Sequence, residues 1–582
     1  MKDFAEHIVT CKGINLKKGR KTTKYLELEH RPGKPNKNVR INLNNFVNDC
    51  FKLNDRGKDL LEIAGYVFAA DRKTARGRSN AVEYHSWARS FHFHIGVRDL
   101  KFWNKPDIQT LLEQALCFMT GDHSYKFTFS KAEPDPPSNL FDNENFEIDK
   151  PENFEVMLFS GGIDSLAGAI ELLETTKAQV CLVSHQSGQL STLKTQRVIC
   201  DELRNIYTAK RVKHYKFKCG LSVEDSKDET QRTRSFLYTS IAFALASTYS
   251  HNRIYLFENG ITSINFAETQ DLMNARASRT THPQTIYRLQ ELFTAIAESE
   301  FKIINPYLFK TKTDVVEIIK KFDKLELLDS SVSCSRTRNH PPGFTHCGVC
   351  SQCIDRRFAV YAADVNRYDG NNLYHFDFLK DDIETDEIKK ALTEYIRLAQ
   401  NISMQNLDTW YRERGMEVIQ VERYIEGDEE TERVDKLYEL SQRHAKHIDL
   451  SIRKMRFIYD LPLASSNPKS FFNLIIGQRT YQINEDNRTE SAGDLDTISK
   501  VIEPRGLKKL TVETCEFLIR QKLIKEVIVD TKKKPVLANL IIKTLKEENY
   551  KLTKPNENTI KDYFRKFEIK LKKDENGNII VQ

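Results

Sequence analysis

The 582-residue chain has no apolar run that approaches the roughly 18 residues a membrane-spanning helix needs. Its first residues, from Met1 to His7, lack the apolar core of a secretory signal. There is also no internal repeat. Charged residues make up 29% of the sequence, and the mean hydropathy is −0.54. We therefore expect a cytoplasmic protein without a membrane span, and the length predicts roughly three or four domains.

The sequence also lacks the signs of a disulfide-bonded protein. It has 11 cysteines, an odd number, and no signal sequence. A disulfide framework is therefore not expected. A reducing compartment fits better, and clustered cysteines in such a compartment indicate a metal site.

Basic charge is scarce outside the C-terminal tail. The net charge is +7, but residues 505–582 alone hold 19 Lys and Arg against 11 Asp and Glu, so residues 1–504 sum to −1. Within the tail, 536–546 and 556–567 have the pattern of two helices joined by a turn that contains Pro555. This predicts a helix-turn-helix or winged-helix-like module that contacts nucleic acid or an acidic partner. A helix-packing or oligomerisation unit is the alternative.

The remaining chain divides by composition. Residues 1–129 alternate apolar and polar side chains, which predicts an α+β domain with a substantial sheet. Residues 130–154 are rich in Pro, Asn and acidic residues and predict a linker. Residues 155–365 alternate strand-like and helix-like segments, which is typical of an α/β parallel sheet with helices on both faces. Residues 366–504 are predicted to form a mainly helical region, since helical spacing dominates residues 370–460, whereas residues 461–504 look loop-rich.

Within residues 1–129, several basic and aromatic side chains could form one exposed surface, although ordinary strand faces and turns explain them equally well. They are Asp71, Arg72, Arg76, Arg78, Tyr84, Trp87, Arg89 and Trp103.

The Walker A spacing is absent, but another glycine-rich loop, Ser160-Gly-Gly-Ile-Asp-Ser165, joins a strand to a helix. Such a junction leaves backbone N–H groups and the helix dipole directed at one point, which makes a cradle for phosphate. Ser160 and Ser165 add hydroxyl donors, and Asp164 can orient Mg²⁺ or a leaving pyrophosphate. In parallel sheets ligands bind at the carboxyl ends of the strands, where this loop falls. An ordinary turn is the alternative.

A second cluster follows the predicted sheet. Cys334 precedes Cys347-Gly-Val-Cys350-Ser-Gln-Cys353, and the four thiols complete a tetrahedral set suited to structural Zn²⁺. An iron–sulfur cluster is the alternative metal group, and His340 and His346 are spare ligands. The site is expected to stabilise the fold rather than take part in chemistry.

Together, the Ser-Gly-Gly-x-Asp-Ser loop and the four cysteines resemble the 7-cyano-7-deazaguanine synthases of queuosine biosynthesis, members of the ATP pyrophosphatase (PP-loop) superfamily with an adenine nucleotide alpha-hydrolase-like fold. The resemblance covers about residues 155–362. Further agreement lies in Gly188-Gln189, Arg234, Asn305-Pro-Tyr with Lys312, and Asp355-Arg-Arg357.

The resemblance implies that a 7-carboxy-7-deazaguanine carboxylate is adenylated by ATP with Mg²⁺ and that ammonia then attacks to form an amide, which a second round converts to the nitrile. By position, Ser160, Gly161, Gly162, Asp164 and Ser165 would hold the pyrophosphate. Asp164, Arg234 and Lys312 would act in catalysis, the two cations by neutralising charge as the phosphate bond breaks.

The chain also departs from that family. About 150 residues precede the matching region and more than 200 follow it, Ser235 replaces the usual Asn, and the Asp-rich substrate segment is not recognisable. The polar candidates for reading the base are Glu258, Asn259, Asn265, Arg279 and His282.

Large synthase-like chains of this kind resemble components of bacterial antiphage defence clusters, which implies a changed acceptor. The first hypothesis is an ATP-dependent ligase that joins the activated deazaguanine to a partner macromolecule, most simply a protein encoded nearby. A free nitrile synthase that uses ammonia is the second hypothesis. A nucleotide-binding sensor or scaffold without turnover is the third.

Overall fold

The computed structural model describes residues 6–133, 153–459 and 470–471, apart from short gaps, and two segments at 571–573 and 579–581. The gaps are residues 15, 17–23, 32, 35, 43–52, 77–86, 187–189, 223–225, 229–231, 267–278, 337–340, 342, 378, 382, 384–385 and 428. Two compact units are present, residues 1–474 and 475–582.

Unit 1 contains two sheets and thirteen described helices. The strands in chain order are β1 (Glu6–Cys11), β2 (Lys24–Leu28), β3 (Val39–Ile41), β4 (Ser90–Val97), β5 (Ser124–Lys131), β6 (Phe154–Leu158), β7 (Gln179–Gln186), β8 (Val212–Leu221), β9 (Arg253–Tyr255) and β10 (Lys302–Ile304). The helices are α1 (Asp55–Lys73), α2 (Leu100–Trp103), α3 (Pro106–Thr120), α4 (Ile163–Thr175), α5 (Leu190–Tyr207), α6 (Arg234–Thr248), α7 (Gly260–Ile264), α8 (Pro283–Ala297), α9 (Lys312–Lys321), α10 (Ser351–Ala362), α11 (Asp386–Met404), α12 (Leu407–Glu422) and α13 (Glu430–Tyr459).

The central sheet confirms the predicted parallel α/β region. Its order is β10-β9-β6-β7-β8-β3, and all strands are parallel except β3, which pairs antiparallel with β8. Every residue of β6 is buried, as expected for a strand covered by helices on both faces. Alternate side chains of β6 point to opposite faces of the sheet. Val156 and Leu158 therefore belong to one core cluster, and Met157 does not belong to it. The loop after β6 therefore lies at the carboxyl edge of the sheet.

The predicted N-terminal sheet is present and is also parallel, with the order β2-β1-β4-β5. Residues 66–69 are apolar and buried, and they lie inside helix α1. One hydrophobic cluster runs from this region into α6 and α8, and β3 extends the central sheet. The domain boundaries drawn from composition stay predictions, and most of the predicted linker (134–152) lies outside the described residues.

The described side chains that could form a basic and aromatic surface are instead buried, several of them in ion pairs, so they do not form that surface. Asp71 and Asp122 bind Arg89, and Arg76 binds both carboxylates, at 2.9 Å to Asp71 and 2.7 Å to Asp122. Trp103 is fully buried and donates to Asp59. Charges without such partners would not tolerate this burial, so the network explains why arginines occur in a core. Arg78 and Tyr84 lie outside the described residues.

Helices α11, α12 and α13 confirm the predicted helical region after the sheet as far as residue 459, while residues 460–469 and 472–504 lie outside the described residues. Among the helices that the structure describes, none has both the length and the apolar character required to cross a bilayer.

In unit 2 the structure describes one antiparallel strand pair, β11 (Leu571–Lys573) and β12 (Ile579–Val581). The two predicted helices of the 505–582 module lie outside the described residues.

Candidate active site and metal centre

The glycine-rich loop turns the chain from β6 into α4. Gly161 has a φ of +87°, and Gly162 caps the helix. The Ser165 hydroxyl accepts from the Gly161 N–H at 3.2 Å and donates to the Gly162 carbonyl at 3.0 Å, while Ser160 Oγ accepts from the Gly162 N–H at 3.3 Å. The first turn of α4 therefore opens onto a compact loop of amides and hydroxyls, the arrangement that binds phosphate.

Helix α5 closes one side of this loop. A Cβ atom at position 161 would lie 3.0 Å from Thr195 Cγ2, so the site requires glycine for space as well as for its left-handed backbone. Gln196 donates to the Ser160 carbonyl at 3.4 Å, and its buried Oε1 has no partner among the described residues. That oxygen is available to a ligand. Neither α5 residue was predicted from the sequence. The only signal for them is that α5 follows β7, and that signal singles out no side chain.

Asp164 and Lys312 form a buried ion pair beside the loop. Lys312 Nζ donates to both Asp164 oxygens, at 3.0 and 2.9 Å, and Asn259 Nδ2 donates to Oδ2 at 2.9 Å. Burial disfavours the Asp164 carboxylate, but Lys312 and the hydrogen bonds outweigh burial and hold its pKa below the ordinary value. The pKa of Lys312 is raised in turn by Asp164, against the effect of its burial. Both groups therefore stay charged.

Glu258 lies next to this pair, at the carboxyl end of β9. Burial and the adjacent Asp164 charge raise its pKa well above the ordinary glutamate value. Arg234 begins α6, is exposed, and lies close enough to Glu258 to lower that pKa in part. Its guanidinium lies 5.8 Å from the ring centre of Tyr238. Two acids and two cations thus surround the end of the phosphate loop.

The five candidate base-reading residues separate into two groups in space. Glu258 and Asn259 lie at Asp164, and Asn265 ends α7 in a left-handed conformation with a φ of +48°. Arg279 lies over the ring of Phe118 at 4.8 Å, and His282 packs against the same ring.

His282 also accepts from the Gln284 N–H at 3.1 Å as the cap of α8. Burial lowers its pKa to about 3, which keeps the ring neutral at physiological pH. A cavity of about 710 Å³ borders Arg279. Arg279 and His282 are thus placed beside α3.

The four cysteines converge as predicted. Their sulfur atoms all lie within 4.8 Å of one another, and Cys347 Sγ and Cys353 Sγ are 4.0 Å apart. A Zn–S distance of about 2.3 Å places neighbouring sulfurs about 3.8 Å apart in a tetrahedron, so the thiol set fits Zn²⁺. The N–H groups of Arg336 and Cys347 donate to Cys334 Sγ at 3.3 and 3.4 Å.

Two neighbouring residues shape this knuckle without supplying ligands. Gly348 has a φ of +84°, and a Cβ atom there would lie 1.9 Å from the Phe376 carbonyl oxygen. His346 is stacked on Tyr374 at 4.8 Å and accepts from the Ser333 N–H through Nε2, so it is a packing residue. His340 lies outside the described residues.

The segment that leads into Cys334 contacts the phosphate loop directly. The Val332 N–H donates to the Gly161 carbonyl at 3.0 Å, and the Ile163 N–H reaches Ser333 Oγ at 3.5 Å. Arg356 anchors this segment from α10 by donating to the Ser331 carbonyl and hydroxyl at 3.0 and 2.9 Å. The metal centre and the phosphate loop are therefore one connected structure.

The residues that could hold a metal ion without help from a substrate are few in the described part of the chain. Within the part of the chain that the structure describes, the four cysteines are the only group of three or more His, Cys, Asp or Glu side chains that could share an ion. Both Asp164 oxygens are already engaged by Lys312. That Asp164 orients Mg²⁺ or the leaving pyrophosphate stays a prediction.

Comparison with known proteins agrees with this geometry. Residues 155–364 match the family model described as "Queuosine biosynthesis protein QueC". A comparison with curated proteins finds no relative of the chain. The match ends just after α10 and includes both the glycine-rich loop and all four cysteines. From the loop, the parallel sheet, the cysteine cluster and this match, we conclude that residues 155–364 form a QueC-like domain of the PP-loop type.

Proposed function

We propose that this protein uses ATP to adenylate the carboxylate of a 7-carboxy-7-deazaguanine-type substrate and then joins the acyl group to an amine of a partner protein. The observation that carries the proposal is the buried Asp164–Lys312 pair beside the phosphate loop. A QueC-like domain implies ATP-dependent carboxylate activation, and the pair supplies a desolvated, fixed cation at the place where pyrophosphate would leave.

In the first step a substrate carboxylate oxygen attacks the α-phosphorus of ATP, the bond between the α-phosphorus and the bridging oxygen breaks, and pyrophosphate leaves with the electron pair. Loop amides, Ser160 and Ser165 would hold the phosphates, with Lys312 and Arg234 neutralising the developing charge. Mg²⁺ would arrive with ATP as its phosphate complex, consistent with the engaged Asp164.

In the second step the acceptor nitrogen attacks the acyl carbon, a C–N bond forms, the acceptor gives up a proton, and AMP leaves. The regions that flank the QueC-like domain support a macromolecular acceptor. Helices α3, α12 and α13 pack around the sheet region and add protein surface on which a partner could bind. The enlarged chain supports a role in bacterial antiphage defence in the cytoplasm, with nucleic acid as a further contact of residues 505–582.

Incubation with ATP, Mg²⁺ and 7-carboxy-7-deazaguanine tests the first step. Wild-type protein is expected to release pyrophosphate, and D164A and D164N to lose at least about a hundredfold of that rate, within the range that removal of one electrostatic group produces. D201A serves as the matched control, because Asp201 is 56% exposed on α5. No pyrophosphate from the wild type contradicts the proposal and leaves the nucleotide-binding sensor or scaffold. Full activity in both Asp164 variants contradicts the role given to the Asp164–Lys312 pair.

Intact-mass analysis of proteins encoded beside this one tests the second step. A covalent deazaguanine adduct that requires ATP supports the ligase.

The QueC match itself favours the second candidate, a free 7-cyano-7-deazaguanine synthase that uses ammonia. Free nitrile in stoichiometric amounts, with no protein adduct, would establish that candidate instead.

A further inference from the structure

Helix α13, which lies outside the QueC-like domain, presents one stripe of residues to the active site. Leu440, Arg443, His444 and His447 are spaced i, i+3, i+4 and i+7, so they share one face of the helix. Each of them contacts or faces the turn that carries Lys312 or the groups around that lysine, as the following contacts describe.

Arg443 and His447 bracket the turn before α9. Arg443 Nε donates to Asp314 Oδ2 at 2.9 Å, and its Nη2 donates to the Phe309 carbonyl. The His447 ring nitrogen Nδ1 shares a hydrogen bond of 2.9 Å with Thr311 Oγ1. The three contacted residues span positions 309–314, so the two side chains hold the chain both before and after Lys312.

Lys312 depends on this turn for its position. It is the first residue of α9, and the helix start is a capping box in which Thr311 and Asp314 hold each other's backbone. On the other side, the Gly260 N–H donates to the Lys310 carbonyl at 2.8 Å, while Leu440 packs where a Cβ atom of Gly260 would stand. Arg443 binds the capping carboxylate itself, so its loss acts on Asp314, two residues after the lysine.

His444 extends the same contact to a second carboxylate. It is buried, and its ring meets Tyr395 edge-on at 5.8 Å. Tyr395 donates to Asp355 Oδ1 at 2.7 Å, and the charge of Asp355 acts on Lys312. The helical region thus forms one wall of the lysine's surroundings.

We propose that Arg443 and His447 are positioning residues that hold Lys312 on the reacting phosphates, so that the helical region after residue 366 is an integral part of the active site. The catalytic part of this proposal rests on the proposed function, since it assumes that Lys312 acts on pyrophosphate release. The placement of the turn by α13 does not depend on that assumption.

Amide hydrogen exchange over residues 307–316 tests the placement without any activity. R443A and H447A are expected to speed exchange there by about tenfold, which corresponds to about 1.4 kcal/mol of local opening. Q442A is the control for general docking, because Gln442 binds carbonyls of Ile402 and Gln405 at 2.7 and 2.9 Å and not the turn. R453A controls for charge on the same helix, since Arg453 is 73% exposed. Unchanged exchange in R443A, or an equal change in the controls, overturns the proposal.

Steady-state pyrophosphate release then tests the catalytic part. R443A is expected to lower kcat by about tenfold to a hundredfold, the cost of a misplaced catalytic group, and to leave the KM for ATP within about threefold. R443K should restore part of kcat. In a K312M background the same R443A change should have almost no further effect; additive losses would overturn the positioning role. A wild type that releases no pyrophosphate contradicts the proposed function alone, because the exchange result stands independently.

Discussion

The backbone N–H of Val332 donates to the carbonyl of Gly161 over 3.0 Å, and Val332 lies two residues before the first cysteine of the metal cluster. The four-cysteine cluster is thereby linked to the phosphate loop through a chain of three residues. The phosphate loop is short and glycine-rich, so its conformation depends on contacts with a fixed neighbouring segment, here residues 332–333. Metal binding and nucleotide binding are therefore expected to be coupled.

Removal of the metal tests that coupling. Chelation, or the C353S substitution, should lower the melting temperature and weaken ATP binding together, because residues 332–333 lose their anchor. Structural Zn²⁺ in small domains contributes on the order of 10 kcal/mol of binding free energy, so the stability loss should be large. Metal content by mass spectrometry and calorimetric titration with ATP measure the two effects. C117S is the matched control, since Cys117 lies outside the cluster; a stable, ATP-binding metal-free protein would contradict the coupling.

Gly161→Ala tests the geometry of the phosphate loop. A left-handed backbone costs a non-glycine residue about 1–2 kcal/mol, and the added methyl would meet Thr195 Cγ2 at 3.0 Å. We expect about that loss of unfolding free energy and a loss of ATP affinity of at least tenfold. Gly427→Ala is the control, because Gly427 has a φ of +96° but nothing within 4 Å. It should show the backbone cost without the loss of affinity; equal ATP affinity in both variants would count against the loop as the phosphate site.

Glu258 gives a pH dependence of defined sign. Because its pKa in the folded state is raised by burial and by Asp164, the folded protein keeps this proton where the unfolded chain has lost it. The resulting stability is complete below the ordinary glutamate pKa of about 4.3 and is lost as the pH rises through the folded-state pKa. The E258Q substitution removes the ionisable carboxyl group, so this loss of stability with rising pH should disappear.

The melting temperature of ligand-free E258Q should therefore rise relative to wild type as the pH is raised from 5 to 8. E300Q is the control, because Glu300 is 75% exposed. A difference between E258Q and wild type that stays flat or falls over this range would show that Glu258 ionises freely.

Asp71 joins the N-terminal region to the start of α6. Its carboxylate binds Arg76 and Arg89, and it accepts from the Thr233 N–H and hydroxyl at 3.1 and 3.0 Å, next to Arg234. Breaking a buried ion pair by removing one partner costs about 3–5 kcal/mol. D71N should show that loss in chemical denaturation, with D449N, on the exposed face of α13, nearly unchanged. Equal stability of the two variants would indicate that the network is not holding α6.

Sequence by itself determined the phosphate loop, the parallel sheet and the cysteine cluster. Each is a local pattern: an apolar strand followed by Ser-Gly-Gly, a regular alternation of strand and helix, and thiols spaced two residues apart. Such local patterns can be recognised without knowledge of the fold, because the backbone conformation of a few neighbouring residues sets their geometry.

The sequence could not place charges that pair over long distances. It left open whether Arg76, Trp87 and Arg89 form an exposed surface or ordinary strand faces and turns. In the structure, their partners Asp122 and Arg232 come from distant segments and bury them. Tertiary structure alone decided that Glu258 lies at Asp164, that Ser333 reaches the phosphate loop, and that α13 bears on Lys312. The physical reason is that burial and the charge of a neighbour set the state of an ionisable group, and both depend on residues up to about 150 positions away along the chain.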